Sequence, residues 1–145
     1  MESAIPTGRP GRGIDDLFVS TDVPYELARL RASPEYAREG HAGRTVTKYP
    51  EQRVVVEAMK AGARLPMHET EEELTLQLVL GQLRVWMPFG GSFELSEGSL
   101  AAVDAGRIHE LEALQDCGFV LTLAWPPMAR REGGGGEGQT EGSGI

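Results

Sequence analysis

The sequence predicts an all-β domain, a single antiparallel barrel or two-sheet sandwich, with one or two short helices ahead of it. Three observations carry this expectation. Short apolar runs follow one another from Arg44 to Trp125, punctuated by Gly62, Gly81, Gly90, Gly91, Gly98 and Gly106. Within a run the side chains alternate: Leu74, Leu76, Leu78 and Leu80 share one face while Glu73, Thr75 and Gln77 share the other, the period-two signature of a half-buried strand. No stretch between the runs has room for a crossover helix, so a parallel βαβ construction is excluded.

The elements can be justified in chain order. Residues 1–13 carry Gly8, Pro10, Gly11 and Gly13 with little to bury, and they are expected to be a disordered tail. The segment 14–43 reads as helical, because Val23, Leu27 and Leu30 have helical spacing and Pro24 suits a first turn. Ser33-Pro34-Glu35 then has the form of a fresh N-cap, and Gly40 that of a helix stop. The barrel is expected over 44–127, in strands near 44–49, 53–60, 74–80, 82–87, 92–96, 99–103, 107–114 and 118–125. Residues 128–145, with their run of glycines from Gly133, are expected to be a second disordered tail.

Composition narrows the partners. A net charge of -8 in 145 residues argues against a surface that neutralises phosphates, so neither nucleic acid nor an anionic membrane is expected as a partner. The single cysteine, Cys117, permits no internal disulfide and no thiolate metal cluster, and it reads as a small packed thiol. No basic segment followed by an apolar one opens the sequence, and no apolar run approaches the roughly 18 residues of a membrane span. The expectation is a cytoplasmic protein.

The parity of the strands singles out two histidines. His109 has the same parity as Leu111 and Ala113, with Glu110 and Glu112 on the opposite face, so it is expected inside the barrel, and His68 is expected to join it from another strand. His41, between Gly40 and Gly43, is expected to be a plain surface loop histidine. Trp86 and Trp125 are expected to serve packing or a dimer contact.

The stretch from Gly62 through His68, Thr70 and Leu74 to Gly81 resembles the first motif of the cupin family, G-x5-H-x-H-x3–4-E-x6-G, with its spacing kept. The stretch from Gly98 through Asp104, Gly106 and His109 to Ala113 is similar to the second motif, G-x5-P-x-G-x2-H-x3-N, with Asp104 in place of proline and Ala113 in place of asparagine. The resemblance implies a cupin-type antiparallel β-barrel. It also implies where metal ligands would stand: His68, Thr70, Leu74 and His109. Two of these four are imidazoles, while Thr70 is a poor ligand and Leu74 none, so a metal would need a third protein group such as Glu72, which has inward parity.

Three functions follow as expectations. The first is a small-molecule-binding barrel that uses His68, Thr70, Leu74 and His109 as its pocket and has no cofactor. The alternative is a mononuclear metal enzyme of oxygenase or isomerase type, with Fe, Mn, Ni, Cu or Zn held by His68, His109 and Glu72. The third is a barrel filled by its own leucines, with no ligand at all. A homodimer is expected in each case, paired through Val54, Val55, Val56 and Trp125 on edge strands.

Overall fold

A computed structural model describes residues 18–67, 73–88, 90–104 and 108–124. Both expected tails lie outside the described residues, as do His68, Thr70, Glu72 and Trp125. Two short helices lead into strands. Helix α1, Val23–Arg31, is capped by Asp22, whose carboxylate accepts a hydrogen bond from the Tyr25 amide at 3.1 Å. Helix α2, Pro34–Glu39, is capped in the same way by the Ser33 hydroxyl and ends at Gly40, whose φ of 85° is the left-handed conformation that favours glycine.

Nine strands follow among the described residues: β1 His41–Tyr49, β2 Gln52–Met59, β3 Arg64–Pro66, β4 Glu73–Leu80, β5 Gln82–Trp86, β6 Ser92–Ser96, β7 Leu100–Val103, β8 Glu110–Ala113 and β9 Cys117–Ala124. The apolar runs marked eight of them. Strand β3 escaped because three residues are too few to show alternation. The strands form a five-stranded sheet in the order β1-β2-β9-β4-β7 and a four-stranded sheet in the order β3-β8-β5-β6, and all pairings are antiparallel.

The two sheets face each other over a core of Leu74, Leu76, Leu78, Leu83, Val85, Leu95, Leu111, Phe119, Leu121 and Leu123, each buried. The parity read for Leu74, Leu76 and Leu78 holds. It fails at Leu80, because the β4–β9 register slips between Leu78 and Leu80 and passes Leu80 to the outer layer. That outer layer is a second cluster, in which Leu27, Tyr36, Ala42, Val56 and Ala58 join the helices to the back of the five-stranded sheet. Glu26 is buried in the helix layer and held there by Arg44, whose Nε lies 3.4 Å away.

The topology corrects one expectation. Strand β2 is not an edge, since β1 covers one side of it and β9 the other, and Val56 is buried beneath the helices. Val55 packs against the barrel core instead. The backbone of this valine run is therefore paired within the chain on both sides, and the side chains of Val55 and Val56 pack in the core and beneath the helices. None of the described helices is long and apolar enough to cross a membrane.

Candidate functional site

The two resemblance motifs converge on one end of the sandwich. Strand β4 begins there at Glu73, β7 ends there at Val103 and β8 starts there at Glu110. Leu74 pairs with Val103 on one side and with Leu123 on the other, and it is buried in the core. Met67, Met87, Val103 and Ile108 pack around the same core. The end of the barrel that carries the motifs is thus walled by flexible and branched apolar side chains.

His109 does not take the inward position that strand parity gave it. Ile108 is buried and belongs to the core, whereas His109 is exposed. The reason lies in the ladder. Trp86 is the paired partner of Glu110, yet the amide of His109 donates to the Trp86 carbonyl at 2.8 Å, so two consecutive residues stand against one, the count that defines a β-bulge. The extra residue passes inward parity from His109 to Ile108. The His109 carbonyl still accepts from the Met67 amide at 2.9 Å, which fixes His109 at the rim between β3 and β5.

At the end of the five-stranded sheet where β4 begins and β7 ends runs an open groove of about 430 Å3, lined by Gln52, Glu73, Leu74, Thr75, Val103 and Asp104 among others. Its volume lies within the range of small-molecule sites. Leu74 contributes to both the groove and the core, whereas His109, the other expected pocket residue that is described, stands on the four-stranded sheet and is not among the residues lining the groove.

Two of the groups that a metal would need, His68 and Glu72, lie outside the described residues. A closed or catalytic site for a divalent transition metal takes at least three N, O or S donors. Among the described residues no three His, Cys, Asp or Glu side chains come close enough to hold an ion. The position where the resemblance places a carboxylate is filled by Leu74, which offers no donor.

Two clusters were not anticipated. On the outer face of the four-stranded sheet, Arg84 pairs with Glu94 at 2.7 Å and Arg64 with Glu110 at 2.9 Å, and Glu112 lies within reach of both arginines. Trp86 sits among them, donating its Nε1–H to Glu112 at 2.9 Å beneath the two guanidinium groups. Packing, one of the two roles expected for Trp86, is what this clamp supplies.

The second cluster surrounds Glu57, which is buried on β2 opposite Gly43. Burial first, and the charge of Glu35 second, push its carboxyl up to about 7. The signal was in the sequence, an acidic residue inside the apolar run Val54 to Met59. His41 is not a loop residue, since it opens β1 and brings Nδ1 to 3.5 Å from Glu57.

No family model matches the chain, and no curated protein matches it. Solved structures do. A conserved protein of unknown function from Streptococcus pyogenes superimposes with a TM-score of 0.57 at 17% identity, over 62% of this chain and 78% of that one. An RmlC-like cupin from Desulfovibrio desulfuricans gives 0.56 at 19% identity, over 64% and 90% of the two chains. The chain has the cupin fold. Salicylate 1,2-dioxygenase from Pseudoaminobacter salicylatoxidans, as a G106A mutant, shares that fold at a TM-score of 0.66 and 16% identity, over 80% of this chain but only 40% of its own. Across these structures the likeness extends to architecture, and one such barrel carries many chemistries.

Proposed function

We propose that this cupin is a small-molecule-binding barrel with no complete metal site, in which His68, Thr70, Leu74 and His109 form the pocket. The observation that carries the reading is Leu74. It is buried and apolar where the family's motif has a carboxylate, and it forms the wall shared by the core and the groove. The groove that Leu74 borders is mixed in character, with Gln52, Thr75 and Thr122 as hydrogen-bonding groups and Glu73 and Asp104 as carboxylates, which suits a small organic ligand whose carbonyl the imidazoles could hold better than one bearing a second negative charge. The chain acts as a cytoplasmic homodimer, without nucleic acid or membrane as a partner.

The second reading is a mononuclear metal enzyme with His68, His109 and Glu72 as ligands. Its support is the fold shared with a dioxygenase over 80% of this chain. One experiment separates the two. Tag-free protein purified without chelator is assayed for Fe, Mn, Ni, Cu and Zn and screened by thermal shift against small carboxylates and carbonyl compounds. Substoichiometric metal, with a ligand whose stabilisation is lost in His109→Ala, is the expected result. Stoichiometric metal would overturn the first reading in favour of the second.

A further inference from the structure

The groove that Leu74 borders opens on the outer face of the five-stranded sheet, where Glu73, Thr75 and Ala102 are exposed while Leu74 turns into the core. The register gives its floor row by row. Gln52, Ala124 and Glu73 lie side by side across β2, β9 and β4, and the pairing of Leu74 with Val103 sets Asp104, one residue past β7, opposite Glu73. Val54, Thr122, Thr75 and Ala102 form the next row. Two carboxylates in directly opposed cross-strand positions repel each other, and that arrangement costs stability while no cation lies between them.

The opposite outer face is built the other way. On the four-stranded sheet Arg84 stands across from Glu94 and from Glu112, and Arg64 across from Glu112, so charges of opposite sign occupy the opposed positions there. The groove has no such arrangement, since no Lys or Arg is among the residues that line it. The sequence supplies cations at short range. Strand β9 ends at Ala124, which lines the groove and is the direct partner of Glu73. β9 is a central strand, and Pro126 and Pro127 have no N–H with which to prolong its ladder. Arg130 and Arg131 follow, outside the described residues, and they are the only Lys or Arg in the sequence after Arg107.

We propose that Arg130 and Arg131 dock on the opposed carboxylates of Glu73 and Asp104, so that the segment following β9 lies across the groove as a strap. Charge and reach select this occupant. Glu73 is one strand from Ala124 and Asp104 two, about 5 and 10 Å at the usual strand spacing. The chain from Ala124 to Arg130 spans up to about 20 Å when extended, which leaves length for the reversal over the sheet. Exposed ion pairs are individually weak and are screened by salt. The tether offsets this weakness, because a short linker holds the arginines near the groove at an effective concentration in the millimolar range. The contact is therefore an equilibrium that high salt is expected to release. Its consequence, that strap and small molecule compete for one groove, rests on the reading of that groove as the ligand site, whereas the docking itself does not.

A nitroxide attached to the full chain through Gly133→Cys tests the strap, and Cys117 is buried, so the label goes to the new thiol. Paramagnetic relaxation of the Thr75 and Ala102 amides is measured by NMR, with Arg84 and Glu94 on the other sheet as reference. Enhancement is expected in the groove and not at the reference positions. Glu73→Lys with Asp104→Lys is expected to reduce it about twofold or more, and Arg130→Glu with Arg131→Glu in that background to restore it. Glu73 and Asp104 are exposed, so an unchanged melting temperature shows that the fold is intact. Enhancement indifferent to both charge reversals overturns the proposal. So does equal enhancement on isotope-labelled parent mixed with spin-labelled protein, which would assign the arginines to another copy. So does n-butylammonium chloride that shifts the two groove amides equally with and without Arg130 and Arg131, since the groove would then take a separate small cation. A small molecule from the thermal screen that binds the Arg130→Glu, Arg131→Glu protein no more tightly than the parent would remove the ligand from the groove and leave the docking in place.

Discussion

Nδ1 of His41 lies 3.5 Å from Oε2 of Glu57, diagonally across the β1–β2 ladder in which Gly43 is the direct partner of Glu57. The arrangement needs glycine at 43, because a Cβ there would collide with the Glu57 carboxylate. The glutamate thus occupies space that its neighbour leaves free, inside the sheet and nearly out of reach of water.

This relationship makes stability depend on pH. The folded-state pKa of Glu57, about 7, lies above its ordinary value of 4.5, so folding favours the protonated acid. The group's contribution is most favourable below the unfolded pKa, is lost as pH rises through 7, and leaves a constant penalty above that. Glu57→Gln keeps the shape without the charge. It is expected to stabilise the protein at pH 8 relative to pH 5 by an amount on the order of 2 kcal/mol. Urea unfolding of both proteins at the two pH values checks this, with His41, Glu35 and Cys117 left unaltered around the site. An equal difference at both pH values sinks the assignment.

One of the contacts by which helix α1 reaches the sheet is especially close and gives a second prediction. A Cβ on Gly118 would lie 2.6 Å from Cδ1 of Leu27, a side chain that is buried. Gly118→Ala is expected to cost about 1–3 kcal/mol by overpacking. Leu27→Ala is expected to cost about 2–5 kcal/mol by leaving a cavity. The pair should cost less than the sum, because the new methyl occupies part of the space that Leu27 vacates. Strict additivity in urea titrations would show that the helix does not dock on Gly118.

Cys117 yields a third. Its thiol is buried, and burial first, then the charges of Asp116 and Glu57, push its pKa up to about 12. Almost no thiolate exists at neutral pH, and the nucleophile is the thiolate. A chromogenic disulfide reagent at pH 8 is expected to leave the native protein unmodified for hours and to react with one thiol once urea unfolds it. Stoichiometric labelling of native protein within minutes would contradict the buried position.

These residues show what the sequence discloses. Glycine spacing and the alternation of Leu74, Leu76 and Leu78 gave the strands, because both reflect local backbone geometry and one buried face. The caps at Ser33 and Gly40 were legible for the same reason. Parity failed at Leu80 and His109, where a one-residue irregularity exchanges the faces without any mark in the local composition. The pairing of His41 with Glu57 was hidden because it joins positions 41 and 57 through a register that only the folded ladder defines.

The last prediction tests the pocket and the alignment together. The resemblance places metal ligands at Thr70 and Leu74, and Leu74 lies buried between Val103 and Leu123. Thr70→His with Leu74→Glu restores the missing donors but puts a carboxylate among apolar side chains, which is strongly destabilising while the charge lacks a partner. A divalent ion bound by His68, the new histidine, the new glutamate and His109 would supply that partner. The double variant is therefore expected to melt well below the parent in chelator and to recover when Mn, Ni or Zn is added, because an ion bound only by the folded state raises its stability. The parent is expected to show no such shift. His109→Ala in the double-variant background is then expected to abolish the recovery. If recovery persists without His109, the bulge opposite Trp86 keeps that imidazole at the rim, and the pocket must be redrawn around His68. If the double variant folds but gains no metal-dependent stability, the register from His68 to Gly81 is wrong and the family's ligand positions do not fall on these residues.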